Sequence, residues 1–155
     1  MSNNLVTRAI DWSRRKSPAV LFFNAGSCGG CDLEALDALT PRYDLERLGL
    51  VETASPRQAD ILICTGAVTL KTRDRLLQIY SQMAEPRFVI ALGACACSGG
   101  IFSGCYCVNG GVDSVIPVDV YVPGCAVRPE AVIDAVEKML QALEQTQAAD
   151  RGEGQ

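Results

Sequence analysis

Eight cysteines and no histidine bound the chemistry open to this chain. Cys28 and Cys31 form a C-x2-C pair in Gly26-Ser27-Cys28-Gly29-Gly30-Cys31, Cys95 follows Leu92-Gly93-Ala94, and Cys125 follows Val122-Pro123-Gly124. Cys28, Cys95 and Cys125 come just after short apolar runs, and every one of the four has glycine close by. If those runs are neighbouring parallel strands, thiols distant in sequence meet at one edge of one sheet. Thiolates are nucleophiles, redox centres and soft metal ligands, so their convergence points to a metal site, with an iron–sulfur cluster the leading candidate. The lack of histidine removes the usual proton shuttle and the usual nitrogen ligand from any mechanism placed in this chain alone.

Glycines at 26, 29, 30, 93, 99, 100 and 124 let backbone N–H groups approach sulfur without a Cβ in the way, as an anionic cluster requires. Cys31 falls at a predicted helix N-terminus, whose dipole favours thiolate over thiol. Three other arrangements use the same residue types. A strand, a C-x2-C and a helix also make the thioredoxin motif, with Cys28 as attacking thiol, but that leaves Cys95 and Cys125 without a role. Four cysteines suit structural zinc, although zinc ribbons usually pair two C-x2-C knuckles and only one is present. Cys95, Cys97, Cys105 and Cys107 make two C-x-C pairs that could form a separate four-thiol site. Cys64, inside an apolar run, reads as a small core residue.

The elements that must position these thiols follow from periodicity. Continuous apolar runs at 19–23, 60–64, 88–92 and 118–122 read as buried parallel strands, with a further strand over 47–53. Residues 32–39 read as a helix with Leu33, Leu36 and Leu39 at near-helical spacing and Pro41 beyond it. A second helix covers 72–83, with Leu76, Ile79, Tyr80 and Met83 on one face, and a third begins at Pro129 with the stripe Val132, Val136, Met139 or Leu140, and Leu143. The glycine- and cysteine-bearing stretch 94–117 shows no period and reads as a long functional loop. Strands alternating with helices predict an α/β fold, a flavodoxin-like doubly wound parallel sheet with the cluster at the carboxyl ends of the strands.

At 155 residues the chain suits a single domain. The expected division is an N-terminal amphipathic basic segment over 1–17, a cluster-binding α/β domain over 18–144 and a disordered polar tail over 145–155. The N-terminal segment packs on the chain's own body or a neighbour, or contacts a membrane surface. The net charge of −4 gives no basic face, so no nucleic-acid partner is expected. No apolar stretch reaches the roughly 20 residues of a membrane span, and residues 1–16 lack a signal-peptide core. A cytosolic setting follows, in which eight cysteines are not a disulfide framework.

Several segments in order resemble one family. Gly26-Ser27-Cys28-Gly29-Gly30-Cys31-Asp32-Leu33-Glu34, the run 40–49, Asp60-Ile61-Leu62-Ile63-Cys64-Thr65-Gly66, the run 85–95, Ser98-Gly99-Gly100-Ile101-Phe102 and the run 115–125 are similar to the small subunit of NiFe hydrogenases. The similarity is greatest to the membrane-associated, energy-converting branch, which is homologous to the 20 kDa subunit of respiratory complex I. It extends from about Pro18 to Leu143. The resemblance implies one 4Fe-4S cluster, proximal to a catalytic site in a partner, with Cys28, Cys31, Cys95 and Cys125 as ligands and no catalytic residue in this chain. It implies a hydrogenase large subunit carrying the nickel–iron site, a ferredoxin-like iron–sulfur subunit and membrane ion-translocating subunits as partners. The location implied is the cytoplasmic face of the cell membrane, with the chain peripheral and held in the complex. Electrons would pass from the ferredoxin-like subunits through this chain to protons.

The complex I branch has adjacent cysteines that would fall at positions 30 and 31. Gly30 stands there instead and the first cysteine is Cys28, which follows the hydrogenase pattern. The alternative is the same module in a related complex without nickel, a quinone or sulfur reductase. Ala126-Val127 departs from the two prolines usual in the family, and Cys97, Cys105 and Cys107 are additional to its ligands. Glu34, one turn past Cys31, faces the cluster edge or a partner, or serves as a helix N-terminal acid.

Overall fold

The computed structural model describes residues 17–152, with side chains described through Gln141. The expected N-terminal amphipathic segment lies outside the described residues. Strand β1 (Ala19–Gly26) leads into helix α1 (Gly30–Ala38), a 3-10 turn (Leu45–Leu48) and the short β2 (Val51–Glu52). Then come β3 (Ile61–Gly66), β4 (Val68–Thr69), α2 (Arg73–Gln82), β5 (Phe88–Leu92) and α3 (Ala94–Ser98). After a 3-10 turn at Gly100–Phe102 the chain continues through β6 (Val108–Gly110), a 3-10 turn at Val112–Ser114, β7 (Val120–Val122) and α4 (Pro129–Gly152).

Five strands form one parallel sheet in the order β2-β1-β3-β5-β7. The connection from β1 through β2 lies on one side of β1 and the later strands on the other. The order therefore reverses between β1 and β3, the flavodoxin-like switch point outside which ligands bind. This is the doubly wound α/β fold that the alternating pattern predicts.

Strand alternation explains the two cores. Ile61 and Ile63 point to the face covered by α1 and α4, where Ala35, Ala38, Val132, Val136 and Met139 pack. Leu62 and Cys64 point to the opposite face, under α2 (Leu76) and beside Ala96, Val112 and Ile116. All six residues of β3 are buried, which is why its sequence is a continuous apolar run rather than an alternation.

Four local expectations change. Only Val51–Glu52 pairs in the stretch expected as a strand over 47–53; Leu45–Leu48 is a 3-10 turn whose Leu45 is buried. On α1 the leucines do not make the core face, because Leu33 is 70% exposed and Leu36 49%, while Ala35 and Ala38 are buried. Small residues there let the helix lie close to the sheet. The stretch 94–117 holds α3, two 3-10 turns and β6, which pairs antiparallel with β4. Finally, α4 continues to Gly152 through the stretch expected as a disordered tail, where alanine, glutamine and glutamate are good helix formers.

Candidate metal centre

The four thiols arrive from three strand ends. Cys28 and Cys31 bracket the turn from β1 into α1, and the helix closes its first turn with the Leu33 amide on the Gly29 carbonyl at 3.0 Å. Cys95 sits in the first turn of α3, directly after β5. Cys125 follows β7, and the two turns are stitched together by the Gly93 N–H to Val122 carbonyl and Ala94 N–H to Gly124 carbonyl bonds, both 2.8 Å. One cleft of about 100 Å3 is lined by all four cysteines. Its other walls are Ser27, Ala94, Ala126 and glycines 30, 66 and 124, with no carboxylate and no nitrogen side chain. One water takes about 30 Å3 in the liquid, so the cleft admits a polyatomic group.

Electrostatics shows how closely the thiols are gathered. Partial burial pushes the Cys31 thiol above its ordinary value, and negative charge on Cys125, Cys28 and Asp32 pushes it further. A backbone N–H from Val127 works against these by donating to the Cys31 sulfur. Cys95 is raised first by burial and then by Cys125, Cys31 and Cys28. Negative charge on the neighbouring sulfurs thus opposes ionisation of Cys31 and Cys95 until positive charge is supplied between them. A site of four soft sulfur donors and one serine hydroxyl, otherwise walled by small residues, fits an iron–sulfur cluster.

Gly93 is where the backbone must come nearest. Its φ of +94° disfavours any L side chain, and a Cβ there would lie 2.6 Å from the Cys31 sulfur. A side chain at 93 and a sulfur at 31 cannot occupy that space together.

The remaining cysteines lie elsewhere. Cys97 does not line the cleft; its thiol donates to the Ala91 carbonyl at 3.5 Å and packs beside the α2 core. Cys64 is fully buried, and burial pushes its thiol up to about 12. Cys105 and Cys107 are exposed, ahead of β6. The cleft takes Cys95 but not Cys97, Cys105 or Cys107; among the described residues no group of three or more His, Cys, Asp or Glu, the four cleft cysteines included, is placed to hold a single metal ion. Glu34 is half-buried and not a wall of the cleft.

Sequence reasoning missed Asn24, Ser27, Asp32 and Thr65, which form a hydrogen-bonded group behind the C-x2-C turn. The available signal was a polar residue at the carboxyl end of two otherwise apolar strands.

Comparison with known proteins gives the chain's family and fold relatives. The model for the family described as NADH ubiquinone oxidoreductase, 20 Kd subunit, matches residues 28–139. A "probable membrane-bound hydrogenase subunit mbhJ" of Pyrococcus furiosus is 48% identical over 128 residues, covering 83% of this chain and 77% of that protein. An "NAD(P)H-quinone oxidoreductase subunit K, chloroplastic" of Nephroselmis olivacea is 44% identical over 156 residues, covering 97% of this chain and 65% of that longer protein. Among solved structures, a chain of the membrane-bound sulfane sulfur reductase, an archaeal respiratory membrane complex, matches with a TM-score of 0.78 and 39% identity. That match covers 90% of this chain and 77% of the other.

Proposed function

The chain belongs to the NADH ubiquinone oxidoreductase 20 kDa subunit family and so is a subunit of a complex I-related oxidoreductase, and from that premise we propose that it is the electron-transfer small subunit of a membrane-bound, energy-converting NiFe hydrogenase. In this reading Cys28, Cys31, Cys95 and Cys125 hold one 4Fe-4S cluster next to the catalytic site of a large partner subunit. A bound cluster of this kind accepts and passes on single electrons.

The observation that carries the reading is the meeting of these four thiols, and no other side-chain donor except the Ser27 hydroxyl, in one cleft at the switch point of the sheet. The protein's own part is positional. The turn at Gly93 leaves room for the Cys31 sulfur, the Val127 N–H donates to it, and the two turns joined by the Gly93 and Ala94 bonds bring Cys95 beside Cys125. The chain supplies no imidazole for proton transfer, which suits a relay. Among the described residues no helix is long and apolar enough to cross a membrane.

The hydrogenase assignment rests on Gly30 and Cys28 in place of adjacent cysteines at 30 and 31. The similarity to a sulfane sulfur reductase chain favours the second reading, the same module in a complex that reduces sulfur compounds or a quinone without nickel. Purifying the complex through a tag on this chain and assaying it anaerobically separates them. Nickel in the co-purified large subunit and hydrogen evolution from a reduced low-potential donor support the first. A nickel-free complex that reduces polysulfide or a quinone replaces it with the second.

A further inference from the structure

The turn that carries Cys28 and Cys31 is fastened at its back by one carboxylate. Asp32 Oδ2 accepts hydrogen bonds from Asn24 Nδ2 at 2.6 Å and from Ser27 Oγ at 2.5 Å, and its Oδ1 accepts one from Thr65 Oγ1. The donors then extend the hold into the turn. Asn24 Oδ1 accepts from the N–H groups of Gly26 at 3.0 Å and Ser27 at 2.9 Å, and Ser27 Oγ accepts from the Gly29 N–H at 2.9 Å. Asn24 and Thr65 are registered partners at the carboxyl ends of β1 and β3, the two strands that flank the switch point. Thr65 is buried, so its hydroxyl is not available to bulk water.

We propose that Asp32 is a positioning residue: acting through Asn24, Ser27 and Thr65, it sets the Cys28–Cys31 turn in its ligating shape before iron arrives. The inference rests on the cluster reading above. Its physical basis is preorganisation, because a turn already ordered by folding loses less entropy when its sulfurs are bound. A first-turn acid serving only the dipole of α1 would need its charge but not three donors from two strands and the intervening turn. Here the carboxylate's acceptor sites are used in the one arrangement that ties β1, β3 and the turn together.

The test uses the full chain with Asp32→Ala, Asp32→Asn and Thr65→Val. In the metal-free protein, amide exchange at Gly26, Ser27 and Gly29 should quicken by about 10-fold or more in D32A, because hydrogen bonds to a charged acceptor are the strong ones. After anaerobic reconstitution, iron loss to a chelator should quicken by a similar factor, with an altered reduced-state EPR line shape. Asn at 32 can still accept from Asn24 and Ser27 with its oxygen and donate to the Thr65 hydroxyl, so D32N should stay within about threefold of wild type in both readouts. T65V should lie between the two. Wild-type behaviour of D32A in both readouts overturns the proposal, and so does equal loss in D32N and D32A, which would leave only a charge effect. Should D32A fail to fold, T65V decides: unchanged exchange and unchanged iron retention overturn the proposal. A wild-type chain that takes up no iron refutes the cluster reading instead, while the exchange comparison still judges the role of Asp32.

Discussion

Replacing Gly93 by alanine separates backbone strain from damage to the metal centre. Gly93 has φ +94° and ψ 158°, a region that only glycine occupies freely, and forcing an L side chain there costs about 1–3 kcal/mol. For a chain of this size each kcal/mol shifts the melting midpoint by about 2–4 °C, so the metal-free protein should lose about 2–12 °C. The added Cβ would sit 2.6 Å from the Cys31 sulfur. Ordinary non-bonded contact between heavy atoms begins near 3.5 Å, so the sulfur must retreat by about 1 Å. Metal–ligand distances tolerate only about 0.2 Å, and Cys31 therefore loses its place as a ligand. Gly104→Ala is the control: φ there is +85°, but nothing lies within 4 Å of the new Cβ. Both variants should melt earlier. Only G93A should bind less iron after anaerobic reconstitution and show a weakened or altered reduced-state EPR signal. Full iron content with an unchanged signal in G93A would refute the placement of the Cys31 sulfur beside this turn.

Cys97→Ser should keep the cluster, because the thiol of Cys97 points to the Ala91 carbonyl, whereas Cys95→Ser should lose or distort it; the reverse outcome, read by iron content and EPR, would move the ligand by two residues. Cys64→Ser should bind iron normally but unfold more easily by about 1–3 kcal/mol in a urea titration, since it buries a hydroxyl where a thiol packs in the core. Burial raises the Cys64 thiol from 9.0 to about 12, so the unfolded chain releases this proton before the folded one does. Its contribution to stability is full below about pH 9 and is lost as pH rises to about 12, so metal-free wild type should weaken more steeply across that window than Cys64→Ala. Chelating the metal should lower the melting midpoint of the reconstituted chain, because a ligand held only by the folded form stabilises it by mass action.

The parts of this structure that could be read in advance are those with a strong period or a long apolar run. β3 and β5 are buried on both faces, so Ile61–Cys64 and Phe88–Leu92 announce themselves, and a doubly wound sheet then sends Cys28, Cys95 and Cys125 to one edge. The β4–β6 ribbon was hidden because Val68–Thr69 and Val108–Gly110 are too short to show alternation and pair only through the tertiary fold. Helix α1 misled for a different reason. Its leucines have helical spacing, but Ala35 and Ala38 take the core side and leave Leu33 and Leu36 exposed. The Asp32 group left only a faint mark, a polar residue near the end of each of two apolar strands, because Asn24 and Thr65 become neighbours only when β1 and β3 pair in register. Cys95 is chosen over Cys97 by its place just after a strand end and by motif position; in the structure Cys95 lines the cleft, whereas the Cys97 thiol turns to the Ala91 carbonyl.

Four thiols from three strand ends should hold one iron–sulfur cluster in this chain. This is tested most directly by purifying the full chain anaerobically, measuring iron, acid-labile sulfide and zinc, and recording EPR after reduction. Iron and sulfide should be present in equal amounts, with the spectrum of one reduced 4Fe-4S cluster per chain, and the cluster should be lost or distorted when Cys28, Cys31, Cys95 or Cys125 is changed to serine. A zinc-loaded chain, or a metal-free one whose thiols all titrate freely, would contradict this reading.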